Sequence, residues 1–308
     1  MASSPASAAA PPRRGRFAPS PTGPLHFGSL VAAVGSYLDA KSRGGEWLLR
    51  MEDLDRPRTV PGAADEILRA LEALGMAWDG PVLHQDNRDE AYRAALDKLK
   101  SRGLVYPCAC SRREIADSAV AGIDGPVYPG SCRKGLLPGR SARAERLLTD
   151  DRPVEFIDAV QGRIVHNIER QIGDFVLKRA DGLYAYQLAV VVDDAEQGIS
   201  DVVRGADLLD STPRQIYLQR LLGYAEPRYA HLPVAVNVVG EKLSKQTLAR
   251  AIDTAVPVPL LNTVLEFLGQ SVITDCAPDD SVAFWSQAIA GWHIDRVPRQ
   301  RTLPAPAA

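Results

Sequence analysis

The sequence predicts an α/β fold: a parallel sheet with helices packed on its faces, built by a chain of 308 residues. Three observations lead there. Between residues 16 and 103, short apolar runs alternate with aliphatic stripes at helical spacing, the pattern of strand–helix–strand units. Glycines follow the stripes at Gly44–Gly45, Gly75 and Gly103, where helices stop. Apolar residues make up 45% and charged residues 24%, so a sizeable core is available and a disordered, collagen-like or coiled-coil chain is excluded.

Taken in order, residues 16–20 read as a short strand ended by Pro19 and Pro21, with Gly23 in a turn. Leu30, Val31, Val34 and Leu38 share one helical face. Residues 46–51, with Trp47, Leu48 and Leu49, form a strand. Pro61 suits the first turn of a helix whose stripe is Ile67, Leu68, Leu71 and Leu74. A strand at 82–84 and a helix at 89–102 follow, the latter through Tyr92, Ala95, Leu96 and Leu99. From Gly103 to about Arg179 the spacing gives way to Gly, Pro, Arg and three of the four cysteines, which predicts an insertion (103–179) between two halves of the sheet. Alternation resumes at 184–193, where 188–192 reads as a buried strand. Thr212 as N-cap and Pro213 open a helix running to Gly223. A last strand is expected at 231–239, followed by a loop at 240–247. Beyond it, Val264, Leu265 and Leu268 indicate a short, mainly helical C-terminal region (248–308) that runs into a Pro- and Arg-containing tail. Residues 1–12, small residues and proline without an apolar core, read as a disordered tail and not a signal peptide. The expected catalytic domain is thus 13–247, interrupted by 103–179.

Charge and cysteine content bound the class. Lys+Arg of 36 against Asp+Glu of 38 gives a net charge of −2, which neither advertises nor excludes a nucleic-acid partner. Arg133, Lys134, Arg140, Arg143 and Arg146 suit either polyanion contact or a solvated face. Four cysteines are too few for a disulfide scaffold, and the longest aliphatic run, 188–192, is far short of a membrane span. The expectation is a soluble, cytoplasmic protein with no membrane partner.

Two segments suit phosphate. Residues 19–29 end a strand and open a helix, whose unpaired N–H groups and dipole attract anions. Within them His26 can donate to a phosphate oxygen, and Gly28 permits close approach. Alone, each is as readily structural. Lys242-Leu243-Ser244-Lys245-Gln246 sits in a loop after a strand, where two lysines can grip polyphosphate or simply be solvated. A third constellation is Cys108, Cys110 and Cys132, which fits zinc with an unknown fourth ligand or a set of buried free thiols.

The first two segments together resemble the HIGH and KMSKS motifs of class I aminoacyl-tRNA synthetases. HIGH stands here as His26-Phe27-Gly28-Ser29, so the Ile and second His are Phe and Ser. KMSKS stands as Lys242-Leu243-Ser244-Lys245-Gln246, with Leu for Met and Gln for the last Ser. The stretches at 16–23, 50–56 and 203–208 resemble the glutamyl/glutaminyl branch, and the likeness covers about 16–268.

What the resemblance implies is specific. It implies a Rossmann-like catalytic domain, with ATP contacted by His26, Gly28, Ser29, Lys242, Ser244 and Lys245, and with His26 and Lys245 stabilising charge in catalysis. Ser29 stands where the second His made an ATP contact. Glutamate falls to Arg16, Phe17, Ala18, Pro19, Ser20, Glu52, Tyr186 and Arg204. The chemistry suits it: two arginines for two carboxylates, Glu52 for the ammonium, Ser20 and Tyr186 for the remainder. Tyr128 matches a tyrosine ligand of the family, giving one structural Zn²⁺ on Cys108, Cys110, Tyr128 and Cys132. Mg²⁺ is expected with ATP. The residues after the lysine loop are fewer than an anticodon-binding region needs, so the nearest likeness is to a truncated paralogue. Such an enzyme activates L-glutamate with ATP in the absence of tRNA, then esterifies the queuosine in the anticodon stem-loop of tRNA(Asp), acting as a monomer. The alternatives are a short glutamyl-tRNA synthetase charging the 3′ end of tRNA(Glu), or a zinc-stapled RNA-binding relic.

Overall fold

A computed structural model describes residues 12–118, 120–123, 125–237, 239–243 and 251–306. The expected N-terminal tail, apart from Pro12, and the loop residues Ser244, Lys245 and Gln246 lie outside the described residues.

The chain opens as expected: β1 (Arg14–Phe17), α1 (Phe27–Lys41), β2 (Glu46–Met51), α2 (Ala63–Ala73), β3 (Leu83–His84) and α3 (Asp89–Ser101). The three strands pair in parallel in the order β1-β2-β3. Trp47 on β2 is fully buried and donates from its ring nitrogen to Ser36 Oγ on α1 (3.0 Å), fastening helix to sheet. Pro61 stands outside α2. Gly62 caps that helix instead, at a φ of 80° that a side chain would strain.

The middle of the chain contains β4 (Val105–Cys108), α4 (Arg112–Ser118), β5 (Ala121–Gly122), β6 (Gly125–Pro126), β7 (Ala144–Leu147), β8 (Pro153–Asp158), β9 (Gly162–Asn167), α5 (Ile168–Gln171) and β10 (Val176–Lys178). β10, β7 and β4 form a separate antiparallel sheet. The β8–β9 hairpin does not stand apart in this way. β8 pairs in parallel with β12 (Arg228–Leu232) at Asp158 and Tyr229, which brings the hairpin into the main sheet.

The second half corrects one expectation. Residues 184–193 are not a strand but lead into α6 (Tyr186–Glu196). Leu188 to Asp194 are all buried, and a helix enclosed on every side has no polar face to reveal its period. β11 (Asp201–Gly205), which the apolar pattern alone had not shown, pairs in parallel with β12. α7 (Thr212–Leu222) starts at Thr212 with Ser211 as its cap, and ends on left-handed Gly223. The strand expected at 231–239 breaks at Pro233 into β12 and β13 (Val234–Val236). After α8 (Pro257–Phe267) and α9 (Ser281–Gly291), the tail contributes β14 (Thr302–Pro304), parallel to β13. A strand therefore lies where only helix and irregular tail were expected.

The two halves meet at β1 and the entry to β11. Ser200 N–H donates to Arg14 O (3.0 Å), and Arg14 N–H to Ser200 Oγ (2.9 Å). The strand order reverses there, and the crevice beyond the strands' carboxyl ends is where such sheets bind ligands.

Candidate active site

A cavity of about 770 Å³ opens at that crevice. It is lined by Arg16 and Phe17 at the end of β1, Ala18, Pro19 and Ser20 just after it, Glu52 after β2, Tyr186 at the start of α6, and Arg204 on β11. His26, Gly28 and Ser29 of α1 and Lys242 close its other end. Twelve residues expected from sequence to hold glutamate or ATP thus share one space; Ser244 and Lys245 fall outside the described residues.

At the α1 end, His26 is the N-cap. Its Nδ1 accepts from Ser29 N–H (3.3 Å), while Ser29 Oγ accepts from His26 N–H (2.8 Å) and donates to His26 O (2.8 Å). An accepting Nδ1 puts the proton of neutral His26 on Nε2, a donor suited to a phosphate oxygen. Ser29 closes a capping box and its one proton is committed to His26 O, so in this geometry it does not substitute for a second histidine donor. Gly28 has a local reason: a Cβ there would lie 3.3 Å from the His26 ring and 3.4 Å from Leu243 O. The backbone that approaches it most closely is the lysine loop. Of that loop's described residues, Leu243 donates its N–H to Ala235 O (2.9 Å), and Lys242 Nζ sits 2.5 Å from Asp207.

At the other end, Arg204 is a buried cation whose bonding partners are all neutral. Its Nε donates to His231 Nε2 (3.1 Å), Nη2 to Thr212 Oγ1 and Gln215 Oε1 (both 2.8 Å), and Nη1 lies 3.5 Å from Tyr186 Oη. With no carboxylate partner among the described residues this buried guanidinium is unbalanced, and Nη1 has a second proton beyond its long contact with Tyr186. Arg16 is different. Its Nε and Nη2 hold both oxygens of Asp194 (3.0 and 3.2 Å), which leaves only the Nη1 end to a ligand. Asp194 also pairs with Arg50 at 2.8 Å, and Arg50 reaches Glu52 at 3.4 Å. Burial pushes the Glu52 carboxyl up from its ordinary value, against the pull of Arg50 and Arg16. Burial also raises the Tyr186 phenol, which stays a neutral donor. The cavity therefore offers a cation, a shared cation and a carboxylate, the complement of an amino acid with two carboxylates and one ammonium.

Sequence reasoning missed Asp194, Arg50 and His231. Two adjacent acids closing an apolar run were the available signal for the first: Asp193 accepts from Gln85 (2.7 Å), Tyr92 (2.8 Å) and Arg88 (3.0 Å), while Asp194 faces the arginines.

The cysteines converge as expected. Cys108, Cys110 and Cys132 bring their sulfurs within 4.8 Å of one another, with Cys110 and Cys132 at 3.6 Å. Tyr128 Oη lies 3.4 Å from Cys108 Sγ and 3.8 Å from Cys110 Sγ. Four donors around Zn²⁺ at about 2.3 Å would have sulfurs about 3.8 Å apart, so the set fits the metal. Burial opposes the Cys108 thiolate, but hydrogen bonds from Tyr128, the Cys110 backbone and Arg146 outweigh it and hold the thiol below its ordinary range. Cys276 is half-buried and packs against the main core. Of the basic residues weighed for polyanion contact, Arg133 pairs with Asp174 and Glu169, Arg140 pairs with Glu114, and Arg146 is buried over the Tyr128 ring.

Comparison with known proteins agrees with this architecture. A family model for the catalytic domain of class I tRNA synthetases (E and Q) matches residues 13–257. A protein of Dechloromonas aromatica (strain RCB) named glutamyl-Q tRNA(Asp) synthetase is 63% identical over 298 residues, covering 96% of this chain and 99% of that protein. The chain belongs to the glutamyl-Q tRNA(Asp) synthetase family. A second family member, from Chromobacterium violaceum, is 58% identical over 92% of the chain and 95% of its own length. Among solved structures, a glutamate tRNA ligase from Elizabethkingia meningosepticum, in complex with its amino acid, is similar with a TM-score of 0.76 and 27% identity. It matches 94% of this chain, which spans 66% of that ligase's length.

Proposed function

We propose that the protein activates L-glutamate with ATP in the absence of tRNA and transfers the glutamyl group to the queuosine of tRNA(Asp). The observation that carries the reading is Arg204, a buried cation with no carboxylate partner among the described residues, lining a cavity that Glu52 and Arg16 also line. Glutamate binds with one carboxylate on Arg204 and Tyr186, the other on the Nη1 end of Arg16 with Ser20, and its ammonium on Glu52. Phe17, Ala18 and Pro19 form the adjoining wall. An α-carboxylate oxygen attacks the α-phosphorus of ATP, a new P–O bond forms, and pyrophosphate leaves with the electron pair. The substrate is its own nucleophile, so the chain's task is alignment and stabilisation of charge. His26 Nε2–H and Lys245 neutralise the phosphates, with Gly28, Ser29, Lys242 and Ser244 framing the ATP site. Class I synthetases use ATP with Mg²⁺, which travels on the phosphates. In the second step a hydroxyl of the queuosine cyclopentenediol attacks the adenylate carbonyl, AMP departs, and the hydroxyl proton passes to the released phosphate or to solvent.

Cys108, Cys110, Tyr128 and Cys132 would hold a structural Zn²⁺, which supplies cross-linking where the 103–179 segment has little core of its own. We assign the catalytic unit to 13–247 with that segment inserted and a short C-terminal region at 248–308, acting as a monomer in the cytoplasm. Neither 3′-charging of tRNA(Glu) nor an inactive relic is favoured by any feature of the site. The test is glutamate-dependent ATP–pyrophosphate exchange in the absence of tRNA. Exchange is expected, and its absence would overturn the proposal.

A further inference from the structure

Arg204 is held from behind by a side chain that does not line the cavity. His231, on β12, is fully buried; its Nε2 lies 3.1 Å from Arg204 Nε and 3.0 Å from Thr212 Oγ1, and its Nδ1 lies 2.5 Å from Asp158 Oδ2. Asp158 is fixed in turn, since its Oδ1 accepts from the backbone N–H groups of Val160 (3.0 Å), Gln161 (2.9 Å) and His231 (3.1 Å).

These contacts dictate the tautomer. A guanidinium only donates, so His231 Nε2 must accept from Arg204 and carries no proton. The imidazole proton is then on Nδ1 and is donated to Asp158. The ring is also uncharged, because burial, with Arg204 adding, pushes its pKa down to about 4 against the pull of Asp158. A neutral acceptor orients Arg204 without cancelling its charge, which a carboxylate in the same place would do. That distinction suits a cation kept for an incoming anion.

We propose that His231, held in its Nδ1–H tautomer by Asp158, is the positioning residue that aims Arg204 at the carboxylate of the amino-acid substrate. This rests on the reading that Arg204 receives a glutamate carboxylate. The chain Asp158–His231–Arg204 reaches from the β8–β9 hairpin to the cavity wall, so the hairpin acts as part of the specificity apparatus.

Two substitutions separate positioning from packing. In His231→Asn the amide nitrogen replaces Nδ1 and keeps the bond to Asp158, but nothing reaches Arg204. In His231→Gln the carbonyl oxygen replaces Nε2 and keeps the acceptor for Arg204. In pyrophosphate exchange, the Asn variant is expected to raise the KM for glutamate about tenfold or more, the scale of one buried charged hydrogen bond. The Gln variant should stay within about threefold of wild type, and the KM for ATP should hold in both. Asp158→Asn tests the tautomer, since an amide donating to Nδ1 moves the ring proton to Nε2, against Arg204. The readout is the ¹⁵N spectrum of the His231 ring, assigned by its loss in the Asn variant: Nε2 should be unprotonated in wild type and protonated in Asp158→Asn. Equal glutamate KM in the Asn and Gln variants, or a protonated Nε2 in wild type, would overturn the inference while leaving glutamate activation standing. A wild type that neither binds nor activates glutamate would instead overturn the functional reading, and this inference with it.

Discussion

On the proposed reading His26 serves two purposes with one ring: Nδ1 caps α1, and Nε2–H would donate to phosphate. The two can be separated. His26→Ala removes both, so exchange should fall on the order of 10²-fold and the protein should lose about 1 kcal/mol of stability. His26→Asn restores a capping acceptor without the distal donor. Its melting temperature should return to near wild type while exchange stays low; recovered exchange would mean that the cap, not the donor, matters. His231 gives a pH dependence of stability. Its ordinary value is 6.5 and in the fold it is pushed down to about 4, so between these the unfolded chain binds a proton that the folded chain does not. Stability therefore falls as pH drops through that window, by about 3 kcal/mol at its lower end. Urea titrations of wild type and His231→Gln at pH 6.5 and 4.5 measure it: wild type should lose more, and equal losses would contradict the assignment. Most residues around the cavity were legible in the sequence because motif neighbours stay neighbours in space. Asp194, Arg50 and His231 were not, because the contacts that join them to the site, Asp194 to Arg16 and Arg50 and His231 to Arg204, link residues far apart along the chain.

At the scale of elements, the cysteine corner makes the sharpest prediction. β4, β7 and β10 are short, and the cluster of Cys108, Tyr128 and Cys132 has few apolar neighbours, so the proposed zinc would contribute by cross-linking a stability that burial cannot. Metal analysis should find one zinc per chain. Cys132→Ala should lose most of it and unfold at lower temperature, and full zinc in that variant would remove Cys132 from the ligand set. Helices with one wet face were read correctly, because α2 and α3 show their periodicity openly. α6 was misread because it is buried all round, and Leu188–Val192 carries the same composition in a helix as in a central strand. Pro233 could have announced the break between β12 and β13, since proline has no N–H for a ladder. The pairing of β14 with β13 joins distant segments and left no local trace.

At the scale of the molecule, parallel pairing was predictable from alternation, whereas the two-part order β1-β2-β3 and β11-β12-β8-β9, with its antiparallel β8–β9 edge, was not. That order places the cavity where the halves part, with glutamate's expected contacts at the strand ends and the phosphate contacts at α1. The chain matches a protein named glutamyl-Q tRNA(Asp) synthetase along 99% of that protein's length, but spans 66% of the glutamate tRNA ligase it resembles in structure. The central claim is that the glutamyl group goes to an anticodon nucleoside and not to the 3′ end. The direct measurement uses queuosine-containing tRNA(Asp) from which the 3′-terminal adenosine has been removed, with labelled glutamate and ATP. Trimming leaves the queuosine diol intact and abolishes the acceptor of a conventional synthetase. Label should transfer to trimmed and untrimmed tRNA(Asp) alike, and transfer that disappears with the adenosine would contradict the account.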